Sequence, residues 1–571
     1  MQRTIPLLIL LLLHLLHNPS RAQRTSIPGF EVGNPLRIQA SLSGNFGELR
    51  PNHFHAGIDL KTGGQEGLDI LAVEEGYVSR IKVSPYGYGK VLYIDHPNGY
   101  TTVYAHLRGF NETIDAYLLE QQTILESFEV DLYPGKGLLP VKQREVVAFS
   151  GNTGGSAGPH LHFEVRDTKS EVPRNPLLFN FPVNDSKPPV VEAIAVVPLG
   201  PNSTVNGRDV AFRSRTSGST IMGQQPVQVS GPVGFQLRGY DSQDGSYNQN
   251  GIYRVDLFID DDLVSTFTAD SIPFDVSRHL NALIDYDYYY YNKGRYMELY
   301  REPGNALPNL KYRNDGVVEL STGLHEVRLL ASDVHGNQRD ISFQLEATPP
   351  TIETDGMPEE VEGNDELIEL HWDLPYLYES EAFKLFFPKL CVYQNVRMAI
   401  SESSGDVPSI EVGKASTPVQ ESFVIETKLP EDADTADGWL IAQINGSGTP
   451  FRALSTKENN GWLKAESRSF GRFKAYQDKQ EPSIRSVNFS NRKRWSYGEM
   501  KFIVKDNFSG IQDIRVEVDG QWTRFDYEPK QDLVSIDVRD VPSSAAQRDF
   551  SLKITDLAGN VATFEGNFFK E

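Results

Sequence analysis

The stretch GNTGGSAGPHLHFEVRD, Gly151 to Asp167, ends in a run that alternates polar and apolar residues from His160 to Val165. Alternation of period two is the mark of a β-strand, on which residues i and i+2 share a face. His160 and His162 therefore point one way, and Leu161 and Phe163 the other. The Gly, Ser and Thr residues before the strand form a loop that lets backbone approach a bound ligand closely. On its own a histidine pair of this kind is two solvated side chains, so its meaning depends on what else the chain brings to it.

The chain has 12 histidines, and His53, His55, His96, His106, His160 and His162 crowd into its N-terminal third. In PNHFHAGIDL, from Pro51, two of them precede Asp59. On a straight strand the Cα atoms of His55 and Asp59 would stand ~13 Å apart, too far to share one ion with bonds of ~2.0–2.2 Å. Gly57 between them tolerates a bend that would bring the two side chains together. Two imidazoles and a carboxylate, from His55, Asp59 and one histidine of the H-x-H strand, would make a three-ligand zinc site with a position open for water. Between these blocks, GKVLYIDHPNGYTTVYAHLRGF reads as two strands around a turn at Pro97, Asn98 and Gly99. Alternation there places Thr102, Tyr104 and His106 on one face, and His96 beside the turn is expected to be solvated.

Three blocks, SGNFGELRPNHFHAGIDL, GYGKVLYIDHPNGYTTVYAHL and SGNTGGSAGPHLHFEVR, resemble the lysostaphin-type zinc metallopeptidases, a family of bacterial peptidoglycan endopeptidases. The H-x-x-x-D, Y-A-H-L and H-L-H motifs stand in the family's order over about residues 40 to 178. The resemblance implies a compact antiparallel β fold with zinc on the floor of a groove. It makes His55, Asp59 and His162 the metal ligands of one Zn2+ per chain, and His106 and His160 the catalytic histidines. It implies a peptidoglycan peptide as substrate, with the bond cleaved left open.

Around this set, Glu164, Tyr104 and Asn52 are candidates to hydrogen-bond the outer ring nitrogens of the ligands. His53 is expected on the groove wall. Arg50 is either a grip for a substrate carboxylate or a structural arginine. An insertion, IDAYLLEQQTILESFEVDLYPGKG, has helical spacing with Ile114, Tyr117, Leu118 and Ile124 on its apolar side. It is either a border of the groove or a helix docked away from it.

The first 22 residues read as a signal peptide: Arg3 precedes a leucine-rich run of about a dozen residues, with small residues near Ala22. That makes the protein exported, periplasmic or extracellular, with no transmembrane segment. Removing the leader takes away only basic charge from a chain already at −22, which disfavours nucleic acid as a partner. The single cysteine, Cys391, sits among apolar residues and reads as a buried structural thiol.

The rest reads as mainly β. The expected division is a peptidase domain at 23–183, an immunoglobulin-like β-sandwich with an insertion at 184–350, an all-β module at 351–481, and a second immunoglobulin-like sandwich at 482–571. The two sandwiches share an alternating strand followed by a D-x-x-G-N turn, at Asp333 and Asp556. These modules could contact glycan or protein. DYDYYYYNKGRYMELY reads as an insertion packed on its own sandwich, and FIDDD is too incomplete for a calcium loop. The expected function is a secreted zinc metalloendopeptidase acting on peptidoglycan stems or crosslinks; the alternative is a non-catalytic wall-binding or hydrolase-activating protein.

Overall fold

The computed structural model describes residues 26–570 apart from 28, 224, 350–365, 431–436 and 542–543. The expected signal peptide lies outside the described residues.

The N-terminal region is built of β1 (Leu42–Gly44), β2 (Leu49–Arg50), β3 (His53–Phe54), β4 (Ile58–Lys61), β5 (Asp69–Leu71), β6 (Gly76–Val83), β7 (Lys90–Asp95), β8 (Tyr100–Leu107), β9 (Gly109–Phe110), helix α1 (Glu112–Leu125), β10 (Val130–Leu132), β11 (Pro140–Val141), β12 (Val146–Phe149) and β13 (His160–Asp167). Its main sheet runs β1-β4-β13-β8-β7-β6-β10. The β6–β7–β8 meander is joined by short turns, as the Pro97–Gly99 signal implies, whereas β13 returns from far along the chain to lie between β4 and β8, antiparallel to both. On one face Tyr104, Phe163, Leu161 and Leu60 enter the core; the other face carries the histidines.

Three structural details depart from the sequence reading. Tyr104 and His106 do not share a face. A register irregularity between Lys90 and Leu92 interrupts the β7–β8 pairing, and His106 has φ +58°, so a bulge turns it away from the core side that Tyr104 occupies. His96 is buried rather than solvated, its Nδ1 2.8 Å from the Glu75 carbonyl and its Nε2 2.7 Å from the Thr102 hydroxyl. In α1, capped by Asn111, Ile114 and Leu118 are buried as expected, but Ile124 is 67% exposed. Gln122 takes the inner place and donates to the Phe128 carbonyl at 2.6 Å.

Beyond residue 189 the described residues form three pairs of sheets. The first pair has five and seven strands between Val190 and Thr348, the second six and five between Glu366 and Gln477, and the third four and five between Ser483 and Lys570. Apolar rings meet across each pair: Phe235 with Phe343, Phe423 with Phe473, and Phe502 with Phe550. The tyrosine-rich stretch forms a short helix, Tyr286–Asn292, with Tyr288 against Tyr296. Cys391 is buried, which pushes its thiol up to about 12. Asp260 of FIDDD accepts from His325 at 2.6 Å, and none of the carboxylate clusters of metal-binding spacing found among the described residues includes that turn.

The modules are packed on the N-terminal region. Phe54 stacks with Phe267 at 6.5 Å and Phe128 with Phe525 at 5.3 Å between ring centroids. Asn45 exchanges two hydrogen bonds of 2.8 Å with the Gly251 backbone. Helix α1 docks on the last sheet pair through Asp115 with Arg524 and Glu126 with Arg515. It is thus a docking element and contributes no residue to the cavity over the histidines.

Candidate metal centre

Cross-strand register brings the centre together. His162 on β13 lies opposite Asp59 on β4, so the two side chains share a face. His55 arrives from the bend after β3, held by its backbone N–H to the Glu48 carbonyl and by its own carbonyl to the Gly47 N–H, both at 2.9 Å. Gly57 is required by contact more than by bending: a Cβ there would lie 2.3 Å from the Phe163 carbonyl oxygen of β13.

His55 Nε2, His162 Nδ1 and Asp59 Oδ1 form an equilateral triangle with sides of 2.9 Å. All three residues are buried. Their outer atoms fix the protonation. His55 Nδ1 donates to the Asn45 carbonyl at 2.7 Å, leaving the lone pair on Nε2. His162 Nε2 donates to Glu164 Oε1 at 2.8 Å, leaving the lone pair on Nδ1. Both lone pairs and one carboxylate oxygen therefore converge on one point, a donor set that suits zinc. The triangle is slightly tighter than the ~3.4 Å edge of a tetrahedron with ~2.1 Å bonds.

The electrostatics also call for a cation there. Burial works against charge on Asp59, but His55, His160 and His162 outweigh it and hold the carboxyl well below its ordinary value. Burial lowers His162, but Asp59 and Glu164 prevail and raise it to about 9, so in the metal-free chain a proton sits on Nδ1 and a metal ion binds there by displacing it. Glu164, wholly buried, is brought down to about 2 by Arg166 and His162 against the effect of burial. Arg166 Nε donates to Glu164 Oε2 at 2.6 Å, and the Tyr88 hydroxyl donates to Oε1 at 2.5 Å.

Two further histidines overlook the triangle. His106 Nδ1 donates to the Thr153 carbonyl at 2.8 Å and His160 Nδ1 to that of Gly158 at 2.8 Å. Each thus turns its Nε2 away from those carbonyls; that of His160 lies 3.4 Å from Asp59 Oδ1. Their ring centroids are 4.8 Å apart. Burial and the charges of His162 and His160 push His106 down to about 3, so it is neutral at pH 7.

The remaining sequence candidates divide. Glu164 supports His162 as expected. Tyr104 does not touch the histidines: its hydroxyl accepts from Val73 N–H and from the Thr102 hydroxyl, and its ring packs edge-on against Phe163. Asn52 accepts from the Asn281 amide at 3.0 Å, away from the ligand rings. His53 lies on the cavity wall. Arg50 lines the cavity too, but its guanidinium is paired to Glu48 at 3.1 Å and to Asp59 Oδ2 at 3.0 Å.

A cavity of about 1170 Å³ lies over the centre, and residues far along the chain complete it: Phe274, Ser277 and Arg278 from the 3₁₀ segment Phe274–Ala282, and Arg468 from the strand Trp462–Ser469. These, with Tyr88, Asn45 and Arg166, escaped the sequence reading. Arg166 shares a strand with His162 and two-residue spacing with Glu164, a signal that was available; the others carry none.

Residues 53–124 match the model of peptidase family M23, and residues 368–478 match a Zu5-like domain. The chain is 29% identical over 161 residues to an uncharacterized metalloprotease of Haemophilus influenzae, covering 27% of this chain and 28% of that one. It is 32% identical over 143 residues to the DD-carboxypeptidase/endopeptidase Mpg of Neisseria meningitidis, covering 24% and 26%. The chain thus aligns with about a quarter of the length of these relatives. The catalytic domain of lysostaphin from Staphylococcus simulans superposes with a TM-score of 0.18 at 22% identity, over 24% of this chain and 87% of that one. By the family match, residues 53–124 of the N-terminal region carry an M23 peptidase domain. The His55, Asp59 and His162 cluster is its candidate metal site.

Proposed function

We propose that the protein is an exported zinc metalloendopeptidase that hydrolyses peptide bonds in peptidoglycan stems or crosslinks. One observation carries this reading: two imidazole lone pairs and a carboxylate oxygen meet within 2.9 Å of one another, with two more histidines facing the same cavity. Zinc held by His55, Asp59 and His162 would lower the pKa of a coordinated water towards ~7 and polarise a carbonyl.

His106, neutral and with its tautomer fixed by Thr153, is the better placed to take a proton on Nε2. His160 stands beside Asp59, where its ring can donate to a developing oxyanion or to the leaving amine. Glu164 keeps the His162 lone pair on Nδ1, and Arg166 keeps Glu164 ionised. Arg278 and Arg468 offer positive charge on the far wall, suited to the free carboxylates of a peptide stem. We read the 190–348 and 483–570 sheet pairs as the two immunoglobulin-like sandwiches. The protein would act in the periplasm or outside the cell; no helix among the described residues is long and apolar enough to cross a membrane.

The test is mass spectrometry of peptides released from purified peptidoglycan by the zinc-loaded chain, beside His162→Ala and chelator-treated controls. New termini absent from both controls are expected and would identify the bond. No release by a chain carrying stoichiometric zinc would overturn the enzymatic reading in favour of a binding or hydrolase-activating role.

A further inference from the structure

Away from the peptidase centre, one arrangement of carboxylates occurs twice. The D-x-x-G-N turns fold in the same way: Asp333 accepts from the Asn337 backbone and side-chain amides at 2.8 and 2.7 Å, and Asp556 accepts from those of Asn560 at 2.8 and 2.8 Å. Each asparagine also donates to the carbonyl of an aspartate from an earlier segment, Asn337 to Asp185 at 3.2 Å and Asn560 to Asp478 at 3.1 Å. Those two aspartates match in turn, each accepting from the N–H two residues on, at Lys187 and Gln480. A third aspartate directly follows a strand in each case: Asp241 after Val233–Tyr240 and Asp506 after Glu499–Lys505.

Hydrogen bonds alone would account for a turn, but oxygens are left over. Asp241 Oδ1 and Asp478 Oδ2 have no hydrogen-bond partner, in residues only 6% and 2% exposed, and Asp506 Oδ1 is likewise buried and unpartnered. A carboxylate oxygen shut away from both water and donors is costly unless a cation faces it. Asp478, Asp506 and Asp556 bring ligand atoms within 4.8 Å of one another, as do Asp185, Asp333 and His335. Burial, with Asp333 and Asp244 nearby, raises Asp185 to about 7; burial, with Asp185 and Asp333, raises Asp241 to about 8.

We propose that both clusters are calcium sites that pin junctions between modules, one formed by Asp185 and Asp333 with Asp241, whose segment is held beside Asp185 by Lys187 donating to the Gln243 carbonyl at 3.0 Å, and the other by Asp478, Asp506 and Asp556. Three carboxylates offer hard oxygen donors, and calcium accepts the irregular, carbonyl-supplemented shells that such a junction provides, whereas magnesium demands a near-ideal octahedron. The first site ties the segment leaving the peptidase region to the following sheets. The second ties the end of the Zu5-like stretch to the last sheet pair. Both act on modules that touch the peptidase cavity: Arg278 stands on its wall, and Lys530 donates to the carbonyls of Asn152 and of Ser156, the latter at 3.1 Å.

The experiment is calorimetric titration of calcium into the full zinc-loaded chain after removal of other divalent ions. Two calcium ions per chain are expected, one after Asp478→Asn, one after Asp241→Asn and none in the double variant. No binding up to about 1 mM, the weak end for extracellular modules, would overturn the proposal. So would a stoichiometry unmoved by both substitutions, or an equal response to magnesium. Should a variant fail to fold, limited proteolysis of the unaltered chain decides: calcium is expected to slow cleavage near residues 185 and 478, and unchanged cleavage at both refutes the sites.

Discussion

Replacing Glu164 by glutamine probes how the metal centre is supported. The carboxylate is wholly buried and serves three donors: His162 at 2.8 Å, Tyr88 at 2.5 Å and Arg166 at 2.6 Å. A glutamine has one acceptor oxygen, and its NH2 must face a donor whichever way it turns. With the oxygen towards Arg166, His162 loses the acceptor that keeps its lone pair on Nδ1; with the oxygen towards His162, a buried guanidinium loses its anion. Breaking a buried pair of this kind costs about 3–5 kcal/mol. The depression of Glu164 from 4.5 to about 2 gives a similar size, about 3 kcal/mol at 1.36 kcal/mol per pH unit. Because the folded value is depressed, that stabilisation is present above pH 4.5 and is lost as the pH falls from 4.5 towards 2. Zinc affinity should fall 10–100-fold with the loss of this support. The assay is hydrogen exchange along His160–Asp167 in the metal-free chain at pH 7, with zinc affinity measured by chelator competition. Exchange protection and zinc affinity both unchanged would refute the argument.

Four further outcomes are expected. His106→Ala and His160→Ala should each keep zinc but lower turnover by about 10²–10⁴-fold; zinc content measured beside the rate would expose a ligand role if the metal were lost. Gly57→Ala places a Cβ 2.3 Å from the Phe163 carbonyl and should force β4 from β13, costing about 1–3 kcal/mol and lowering zinc affinity; calorimetric metal titration showing an unchanged affinity would contradict that contact. Cys391, with its thiol pushed up to about 12, should resist alkylation at pH 8 in the folded chain and react once unfolded, as intact mass would show. Arg278→Ala should raise KM for an acidic stem peptide about tenfold or more while leaving kcat nearly unchanged, since a charge-assisted hydrogen bond contributes about 1.5–3 kcal/mol; equal kinetic constants would remove Arg278 from substrate binding.

The candidate ligands were legible in part: His55, Asp59 and the H-x-H pair sit in local patterns, but which histidine of the pair joins the cluster came only from the family resemblance. On β13 the period of two put His160 and His162 on one face, and pairing with β4 then set His162 against Asp59. The same rule failed on β8, where Thr102, Tyr104 and His106 alternate in sequence but His106 adopts a left-handed φ. That bulge depends on how β7 is matched to β8, and no residue type within YAHL announces it. Helical spacing likewise found Ile114 and Leu118 but misplaced Ile124, because the inner position of the last turn went to Gln122, which a loop carbonyl satisfies. His96 misled for a related reason: a turn-side histidine reads as solvated unless the two hydrogen-bond partners that hold it inside, the Glu75 carbonyl and the Thr102 hydroxyl, are known.

What no local pattern could show is that the cavity belongs to several modules. The candidate metal centre itself is made by β4, β13 and the bend after β3, so its three residues come from the N-terminal region alone. The wall facing it is another matter, since Phe274, Ser277, Arg278 and Arg468 come from the second and third sheet-bearing units. The Ser277 hydroxyl accepts from the Phe54 N–H at 3.0 Å, and Arg278 in turn donates to the Val419 carbonyl at 3.0 Å, so this wall is held from both sides. Arg166 links the two halves, its guanidinium 4.6 Å from the Phe274 ring while it fixes Glu164 behind His162. Swinging the modules away to uncover the site would strip the partners from Phe54 and Phe128 and expose apolar rings to water, about 1.5–3 kcal/mol for each large side chain. The arrangement therefore favours modules that shape the cavity over modules that act as a removable plug, and a volume of about 1170 Å³ is left open over the histidines.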